Sequence, residues 1–144
     1  IRIMECNNIR RGGRMAHSAV DIHIIEPDEM FRRVLLRTLA DVGREVHSYA
    51  DGYEFMEGYK GEAGISIFVI NDILPKKSGM EVVDHIRSQD GRSVIYFMTR
   101  SNTEEEMVYA LNSGVDGYFI KPFNLKVFQA KIKRLILRGN RVWI

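Results

Sequence analysis

The residues that could do chemistry form four short polar groups, each directly after an apolar run. In chain order the groups are Glu26-Pro27-Asp28, Asn71-Asp72, Thr99-Arg100 and Lys121-Pro122. Acids and amides supply oxygen ligands, and a lysine and a hydroxyl can donate hydrogen bonds to an anion. These side chains could form one polar site, provided that the fold brings the four groups together.

Five short apolar runs are typical of β-strands. The predicted strands are residues 22–25, 45–49, 65–70, 94–98 and 118–120. The third of these runs, ISIFVI, is apolar on both faces, which is typical of a strand in the middle of a parallel sheet.

Helical patterns separate the strands. In the first, apolar residues recur near helical spacing from Phe31 to Val42, and Gly43 is predicted to close the helix. The other helices are predicted at about 52–59, after the Lys-Lys-Ser-Gly loop at 76–79, from a cap at Asn102 or Thr103 to Gly114, and at about 124–137.

This alternation predicts an α/β fold: a doubly wound, five-stranded parallel sheet with five helices on its two faces, as in flavodoxin-like proteins. In open sheets of this kind the functional crevice lies outside the carboxyl ends of the strands. All four polar groups are expected there, so they are expected to converge.

The polar groups and the loops around them resemble the receiver domain of two-component response regulators, over residues 20 to about 138. The matching segments are Ile24 to Asp28 at the acidic cluster, Asn71 to Gly79 with Pro75 at the phosphoacceptor loop, Thr99 at the hydroxyl position, Gly114 to Tyr118 before the fifth strand, and Lys121-Pro122-Phe123 after it.

The resemblance implies a role for each residue. Glu26 and Asp28 belong to the acidic cluster that holds Mg²⁺ in the family, and Asn71 stands where the family has its phosphoryl-accepting aspartate. Thr99 and Lys121 would contact the phosphoryl group, and Tyr118 would be the aromatic residue that changes position on activation. The peptide bond before Pro122 is a candidate cis bond.

Two positions depart from the family pattern. Asn71 offers a neutral amide, a poor nucleophile, and Pro27 has no side-chain oxygen where the family usually has a metal-binding acid. The sequence therefore predicts an atypical receiver, or pseudo-receiver, that is not phosphorylated and is not an enzyme. Its Mg²⁺ site, formed by Glu26, Asp28 and Asn71, would be degenerate, with weakly bound Mg²⁺ at most and no other cofactor.

Other interpretations stay open. Asn71 could have been introduced in place of a natural aspartate, or Asp72 could accept the phosphoryl group after a one-residue shift in register; either would give a conventional phosphorylatable receiver. Lys121 could pair with an acid and hold the crevice closed, Thr99 could only cap a loop, and Tyr118 could only pack. A flavodoxin-like cofactor binder is a third class, but no glycine-rich or Ser/Thr-rich phosphate loop follows the first strand.

We expect such a domain to act through protein contacts. The resemblance implies a bacterial response regulator with an attached or separate output domain and a histidine kinase as candidate partners. It also suggests a homodimer through the fourth helix, fifth strand and fifth helix. The winged-helix transcription-factor branch of the family uses that surface through salt bridges. Asp116 and Lys131 resemble its charged positions, but Gly117 and Val127 replace two of its acidic residues here.

The charge distribution argues against direct nucleic-acid binding by this domain. Residues 1–14, called the basic arm below, carry four arginines and one glutamate, while the remaining 17 basic and 18 acidic residues nearly balance. The basic arm is interpreted as a remnant of upstream or added sequence, with a genuine interaction segment as the alternative, and residues 139–144 as the start of a linker.

Composition and sequence pattern indicate the cellular compartment in which the protein is expected. The chain has no apolar run long enough to span a bilayer and no secretory signal pattern. A single cysteine, Cys6, suits a reducing compartment. The sequence thus predicts a cytoplasmic protein without membrane contact.

Overall fold

The computed structural model describes residues 20–61 and 64–143, with side chains described as far as residue 138. Five parallel strands form one sheet in the order β2-β1-β3-β4-β5. The strands are β1 (Asp21–Ile25), β2 (Val46–Tyr49), β3 (Ser66–Asn71), β4 (Val94–Thr99) and β5 (Gly117–Ile120). The helices are α1 (Glu29–Thr38), α2 (Gly52–Gly58), α3 (Gly79–Gln89), α4 (Glu104–Asn112) and α5 (Leu125–Trp143).

Two apolar layers cover the two faces of the sheet, and strand periodicity assigns residues to them. Ile24 of β1 and Val69 of β3 pack with α1 and α5, whereas their neighbours Ile25 and Ile70 pack with α2, α3 and α4. Phe68 lies on the second face and is fully buried. The predicted central position of the ISIFVI strand is confirmed, since β3 lies between β1 and β4.

Side-chain caps fix where the helices begin, close to the carboxyl ends of the strands. Asp28 accepts from the Phe31 N–H at the start of α1. Ser78 and Thr103 form reciprocal capping boxes at the starts of α3 and α4. These caps satisfy backbone N–H groups that a helix leaves unpaired, so local sequence positions the loops that carry the polar groups. Thr103, and not Asn102, is the cap of α4.

Two predicted helix ends were wrong. The helix α1 ends at Thr38, well before Gly43. Gly43 is instead required by a close approach, because a Cβ there would lie 2.8 Å from the Val20 carbonyl oxygen. The helix α5 continues past Leu137 to Trp143, so the residues expected to begin a linker, up to 143, are helical.

The described helices include none that is long and apolar enough to cross a bilayer.

A buried histidine lies within the second layer. His23 of β1 stacks on His47 and Phe68 at centroid distances of 4.8 and 4.9 Å, and its Nδ1 lies 3.0 Å from the Tyr49 hydroxyl. Its Nε2 is buried and has no hydrogen-bond partner among the described residues. Burial, with a smaller contribution from the charge of His47, lowers the pKa of His23 to about 3.

This histidine should make the fold sensitive to acid. Between about pH 6.5 and 3 the unfolded chain binds a proton at His23 that the folded chain does not, so stability falls as the pH falls through that range. At pH 5 the loss should be about 2 kcal/mol relative to pH 7.5, at about 1.4 kcal/mol per pH unit. Urea unfolding of the wild type and of His23→Phe, which keeps an aromatic ring but cannot be protonated, measures this contribution.

His85→Phe is the matched control, because His85 lies on α3 and is only partly buried. The control should keep the acid sensitivity of the wild type. If His23→Phe lost stability with falling pH as steeply as the wild type does, His23 would not be the group responsible.

Candidate functional site

The ends of four strands form one cleft. The parallel register pairs Ile25 with Ile70, Asn71 with Met98, and Thr99 with Ile120, so β1, β3, β4 and β5 end at one edge. The cleft encloses about 410 Å³. Its walls are Glu26, Pro27, Asp28, Asn71, Asp72, Ile73, Thr99, Arg100, Ser101 and Lys121.

Lys121 connects two strands across the cleft. Its Nζ donates to Glu26 Oε1 at 2.9 Å and to Asn71 Oδ1 at 2.7 Å. The side chains of Lys121 and Glu26 are only 10% and 2% exposed. The ammonium also lies 4.9 Å from the centre of the Phe31 ring. The predicted cis bond between Lys121 and Pro122 is confirmed. The lysine is therefore held in a buried ion pair by groups that are 50 and 95 residues away in sequence.

The Asn71 amide uses both of its ends. Its Oδ1 accepts from Lys121, and its Nδ2 donates to the Ile73 carbonyl oxygen at 2.8 Å. An ammonium can only donate a hydrogen bond, so the oxygen must face Lys121 and the nitrogen must face the β3–α3 loop. An aspartate could not make the contact to Ile73, because an ionised carboxylate has no hydrogen to donate.

The acids after β1 are occupied by local donors. Glu26 Oε2 accepts from the Asp28 N–H at 3.0 Å, and Arg32 donates to the Glu26 carbonyl oxygen at 2.7 Å. Asp28 Oδ1 accepts from the Phe31 N–H at 3.1 Å. Asp28 therefore lies at the rim as a helix cap, and Glu26 lies at the base of the cleft.

Thr99 bonds to Asp72 and not to Asn71. Its fully buried hydroxyl lies 2.7 Å from Asp72 Oδ2 and 3.2 Å from the Ser101 carbonyl oxygen. A Cβ on Gly79 would lie 2.7 Å from the Asp72 carbonyl oxygen, so glycine there lets the loop pass close to α3. The contact between Thr99 and Asp72 joins the β3–α3 loop to the β4–α4 loop.

Tyr118 lies on the far side of Thr99, under α4. Its ring meets Phe97 edge-on at 6.0 Å, and its hydroxyl oxygen is buried. Burial raises the pKa of Tyr118, and the charges of Asp72 and Glu106 add to the rise. The tyrosine is thus packed inward beside the β4–α4 loop.

Comparison with known proteins identifies the family. The sequence model of the family named response regulator receiver domain matches residues 22–133. The chain belongs to this family. Receiver domains are signalling modules of two-component systems and interact with histidine kinases and output domains. The resemblance predicted from the polar groups is confirmed at this level.

Curated relatives of the receiver domain are transcriptional regulators. The transcriptional regulatory protein AfsQ1 of Streptomyces coelicolor is 31% identical over 118 residues, which are 82% of this chain and 52% of that protein. The uncharacterized transcriptional regulatory protein YkoG of Bacillus subtilis is 31% identical over 119 residues, 83% of this chain and 51% of that protein. The chain thus spans about half the length of these relatives.

Solved structures show the same receiver fold. The BeF3-activated DrrB receiver domain superposes with a TM-score of 0.72 at 24% identity, covering 82% of this chain and 97% of that one. A two-component response regulator from Clostridium difficile superposes with a TM-score of 0.69 at 29% identity, covering 83% and 96%. The predicted five-stranded, doubly wound parallel fold is confirmed.

The residues of this receiver cleft do not fit Mg²⁺. The ion needs about six oxygen ligands in a near-octahedral arrangement. Both Glu26 oxygens and the Asn71 oxygen already accept from protein donors, the Ile73 carbonyl accepts from Asn71, and Pro27 has no side-chain oxygen. The Lys121 ammonium already supplies the positive charge that faces Glu26.

The structure brings the predicted residues into two groups. Glu26, Asn71 and Lys121 form one hydrogen-bonded group, while Thr99 and Asp72 form the other. Asp28 lies at the rim, and Tyr118 borders a neighbouring cavity. The hydrogen bond from Thr99 to Asp72 was not predicted, since the sequence suggested Asp72 only as a replacement nucleophile or as a solvated or loop-capping carboxylate. Its place directly after β3, in the loop facing β4, was the available signal.

A separate group of potential metal ligands lies at the opposite edge of the sheet. Ligand atoms of Asp21, Glu45 and His47 lie within 4.8 Å of one another. Arg44 donates to both Asp21 oxygens, at 2.9 and 2.8 Å. An arginine already neutralises this carboxylate, so we assign no metal site there.

Removing the charge of Asp72 should loosen the β4–α4 loop. In Asp72→Asn the Thr99 hydroxyl loses an ionised acceptor, which should cost about 1–2 kcal/mol of stability. The pKa of Tyr118 should fall, because the Asp72 charge contributes to its rise. Urea unfolding and ultraviolet titration of the tyrosines measure the two effects. Asp84→Asn, an exposed position on α3, controls for net charge; equal effects in both variants would contradict the assignment.

Proposed function

We propose that this receiver domain works without phosphorylation, as a fixed-state module of a bacterial response regulator that acts through protein contacts. The observation that carries the proposal is the Asn71 amide, which bonds Lys121 with its oxygen and Ile73 with its nitrogen. The position that should hold the phosphoryl-accepting carboxylate is filled by a neutral group with its hydrogen bonds satisfied.

The chemistry of an amide supports this proposal. Formation of an acyl phosphate requires a carboxylate oxygen to attack phosphorus while a metal ion neutralises charge. The lone pair of an amide nitrogen is delocalised, and its oxygen is neutral and bonded to Lys121. Neither the nucleophile nor the metal ligands are provided, so no phosphoryl transfer to this position is expected.

The contacts of the cleft's lysine and threonine support a fixed state. Lys121 has Glu26 and Asn71 as partners, and Thr99 has an anionic oxygen of Asp72. An incoming phosphoryl group would therefore have to break existing hydrogen bonds, because neither Lys121 nor Thr99 lacks a partner. On this proposal the β4–α4 loop and Tyr118 stay in one arrangement, set by Asp72.

We further propose that the domain, residues 20–138, forms a homodimer through α4, β5 and α5 and contacts an attached or separate output domain. Apolar side chains exposed there support this: Val108, Tyr109, Leu111, Ile120 and Val127. Asp116 was a candidate for a charged contact between subunits. It is instead bonded by Arg87 and by the Ile95 N–H, at 2.9 and 2.8 Å. Apolar packing is the better-supported contact, and Val108→Glu should weaken the dimer in sedimentation equilibrium.

One observation favours a second candidate, a conventional phosphorylatable receiver that uses Asp72. This carboxylate lines the same cleft and contacts Thr99. The same experiment tests both candidates: the protein is incubated with Mg²⁺ and a small phosphodonor, and its mass is measured. We expect no mass gain. A gain of one phosphoryl group removable by hydroxylamine would contradict the proposal, and its loss in Asp72→Asn would assign the acceptor.

Mg²⁺ binding gives an independent check on the proposed state of the cleft. Because Lys121 and the Asn71 amide occupy the ligand atoms, titration followed by amide chemical shifts should not approach saturation at low millimolar Mg²⁺. Saturation in that range, with shifts at Glu26 and Ile73, would show that the ion displaces the lysine.

A further inference from the structure

A second cavity lies beneath α4, outside the cleft at the strand ends that contains Asn71 and Lys121. It encloses about 440 Å³ between the β3–α3 loop and α4. Three carboxylates and three aromatic rings are among its walls: Asp72, Glu105, Glu106, Phe97, Tyr109 and Tyr118. None of the described residues that line it is a lysine or an arginine; Arg100 lines the neighbouring cleft.

The chemistry of these walls suits a guanidinium group. Its flat face can stack on tyrosine and phenylalanine rings, and its N–H groups can donate to carboxylates. Asp72 and Glu106 each use one oxygen within the domain, for Thr99 and for the Thr103 N–H. Their second oxygens and the exposed Glu105 remain for a ligand. An arginine side chain therefore suits these walls in its charge and in its flat shape.

The chain itself carries a suitable ligand. The basic arm, which lies outside the described residues, contains Arg2, Arg10, Arg11 and Arg14 against a single Glu5. The rest of the chain has 17 basic and 18 acidic residues. The helix α5 is also basic, but it packs on the sheet as part of the domain, so the arm is the concentrated positive charge outside the described residues. We propose that the basic arm binds the cavity beneath α4 of the same chain, with Arg10 or Arg11 inserted between the carboxylates and the tyrosines.

Chain length selects the arginine. Val20 precedes β1 at the amino edge of the sheet, whereas the cavity lies at the carboxyl edge. It is two strands away from β1, between the sheet and the helix layer that contains α4. Strand rise and spacing put the two roughly 20–25 Å apart, and farther around the surface. The six residues from Arg14 to Val20 reach about 20 Å at full extension, whereas those from Arg10 reach about 35 Å. Arg14 would need a fully extended backbone and side chain even for the straight path, whereas Arg10 and Arg11 have enough chain for the longer path around the surface.

The inference does not depend on whether the cleft that contains Asn71 and Lys121 is phosphorylated. An arm bound beneath α4 would cover part of the surface on α4 that a partner protein could use. If Asp72 proved to be a phosphoryl acceptor, Glu105 and Glu106 would still be present to bind the arginine.

Amide chemical shifts test the proposal directly. The full chain and a chain starting at Met15 are compared at Ser101, Asn102 and Ala110, which line the cavity. We expect these amides to differ between the two chains. The differences should disappear in Arg10→Glu or Arg11→Glu and remain in Arg14→Glu, which makes the same charge change. They should also diminish in high salt, because salt screens exposed charge pairs.

The cavity side has its own matched pair. Glu105→Gln should reduce the differences, whereas Glu104→Gln, one residue away on α4 and outside this cavity, should leave them. Identical shifts in the two chains would overturn the proposal, as would differences that survive Arg10→Glu and Arg11→Glu together. Shifts that grow with protein concentration would also overturn it, because the arm would then be binding another copy.

Discussion

The double variant Pro27→Asp with Asn71→Asp should accept a phosphoryl group, whereas we expect that the wild-type domain is not phosphorylated. The new aspartate at position 71 would supply an anionic nucleophile beside the Lys121 ammonium, which now lies 2.7 Å from the Asn71 oxygen. The new aspartate at position 27 would restore a metal-ligand oxygen beside Glu26. Incubation with Mg²⁺ and a small phosphodonor, followed by mass measurement, should show one added phosphoryl group in the double variant.

The single variants separate the two defects. Pro27→Asp provides a metal ligand without a nucleophile and should gain no mass. Asn71→Asp provides the nucleophile alone and should react at least about tenfold more slowly than the double variant, since metal neutralisation contributes several kcal/mol and about 1.4 kcal/mol is tenfold. Phosphorylation of Pro27→Asp at Asp72 would instead show that the acceptor had been assigned to the wrong residue.

Loss of Lys121 should be the most destabilising single change in the cleft. In Lys121→Met the buried Glu26 keeps the Asp28 N–H as a partner but loses its counter-charge. An unpaired buried charge of this kind typically costs about 3–5 kcal/mol, and we expect about 3 kcal/mol because one hydrogen bond remains. The free energy of unfolding in urea at pH 7 measures the loss.

A double-mutant cycle distinguishes the ion pair from the loss of packing. Lys121→Met with Glu26→Gln removes both charges, so the pair should lose less stability than the two single losses added together. Lys133→Met, at an exposed position on α5, is the control and should change stability by less than about 0.5 kcal/mol. Additive losses at Glu26 and Lys121 would mean that their contact carries no coupling energy.

The substitutions at Asn71 and Lys121 disturb the same charge balance from opposite directions. Asn71→Asp adds a carboxylate beside Lys121, and Lys121→Met leaves the Glu26 carboxylate alone. In the native chain one ammonium faces one carboxylate and one amide, so the charges at the base of the cleft balance without an added ion or phosphoryl group. Both expected results follow from that balance.

Local patterns in the sequence were sufficient for the architecture. Apolar runs identify β1 to β5, and helical spacing of apolar residues identifies the helices between them, although the sequence left the cap of α4 open between Asn102 and Thr103. The order of polar groups after the strands then places Glu26, Asn71 and Lys121 at one edge, because parallel strands end together. The departures at Asn71 and Pro27 follow from residue identity alone, and they need no coordinates.

The tertiary structure alone decided which partner each side chain has. The sequence could not show that Thr99 donates a hydrogen bond to Asp72. Nor could it show that Lys121 pairs with Glu26 and not with Asp28, or that Arg87 donates to Asp116. Each contact joins residues at least 27 positions apart, and several acceptors of similar chemistry lie near each donor. Differences of about an ångström in loop position select among them, since hydrogen bonds require a narrow range of distance and angle. Such distances depend on how the loops and layers pack, which local sequence patterns do not encode.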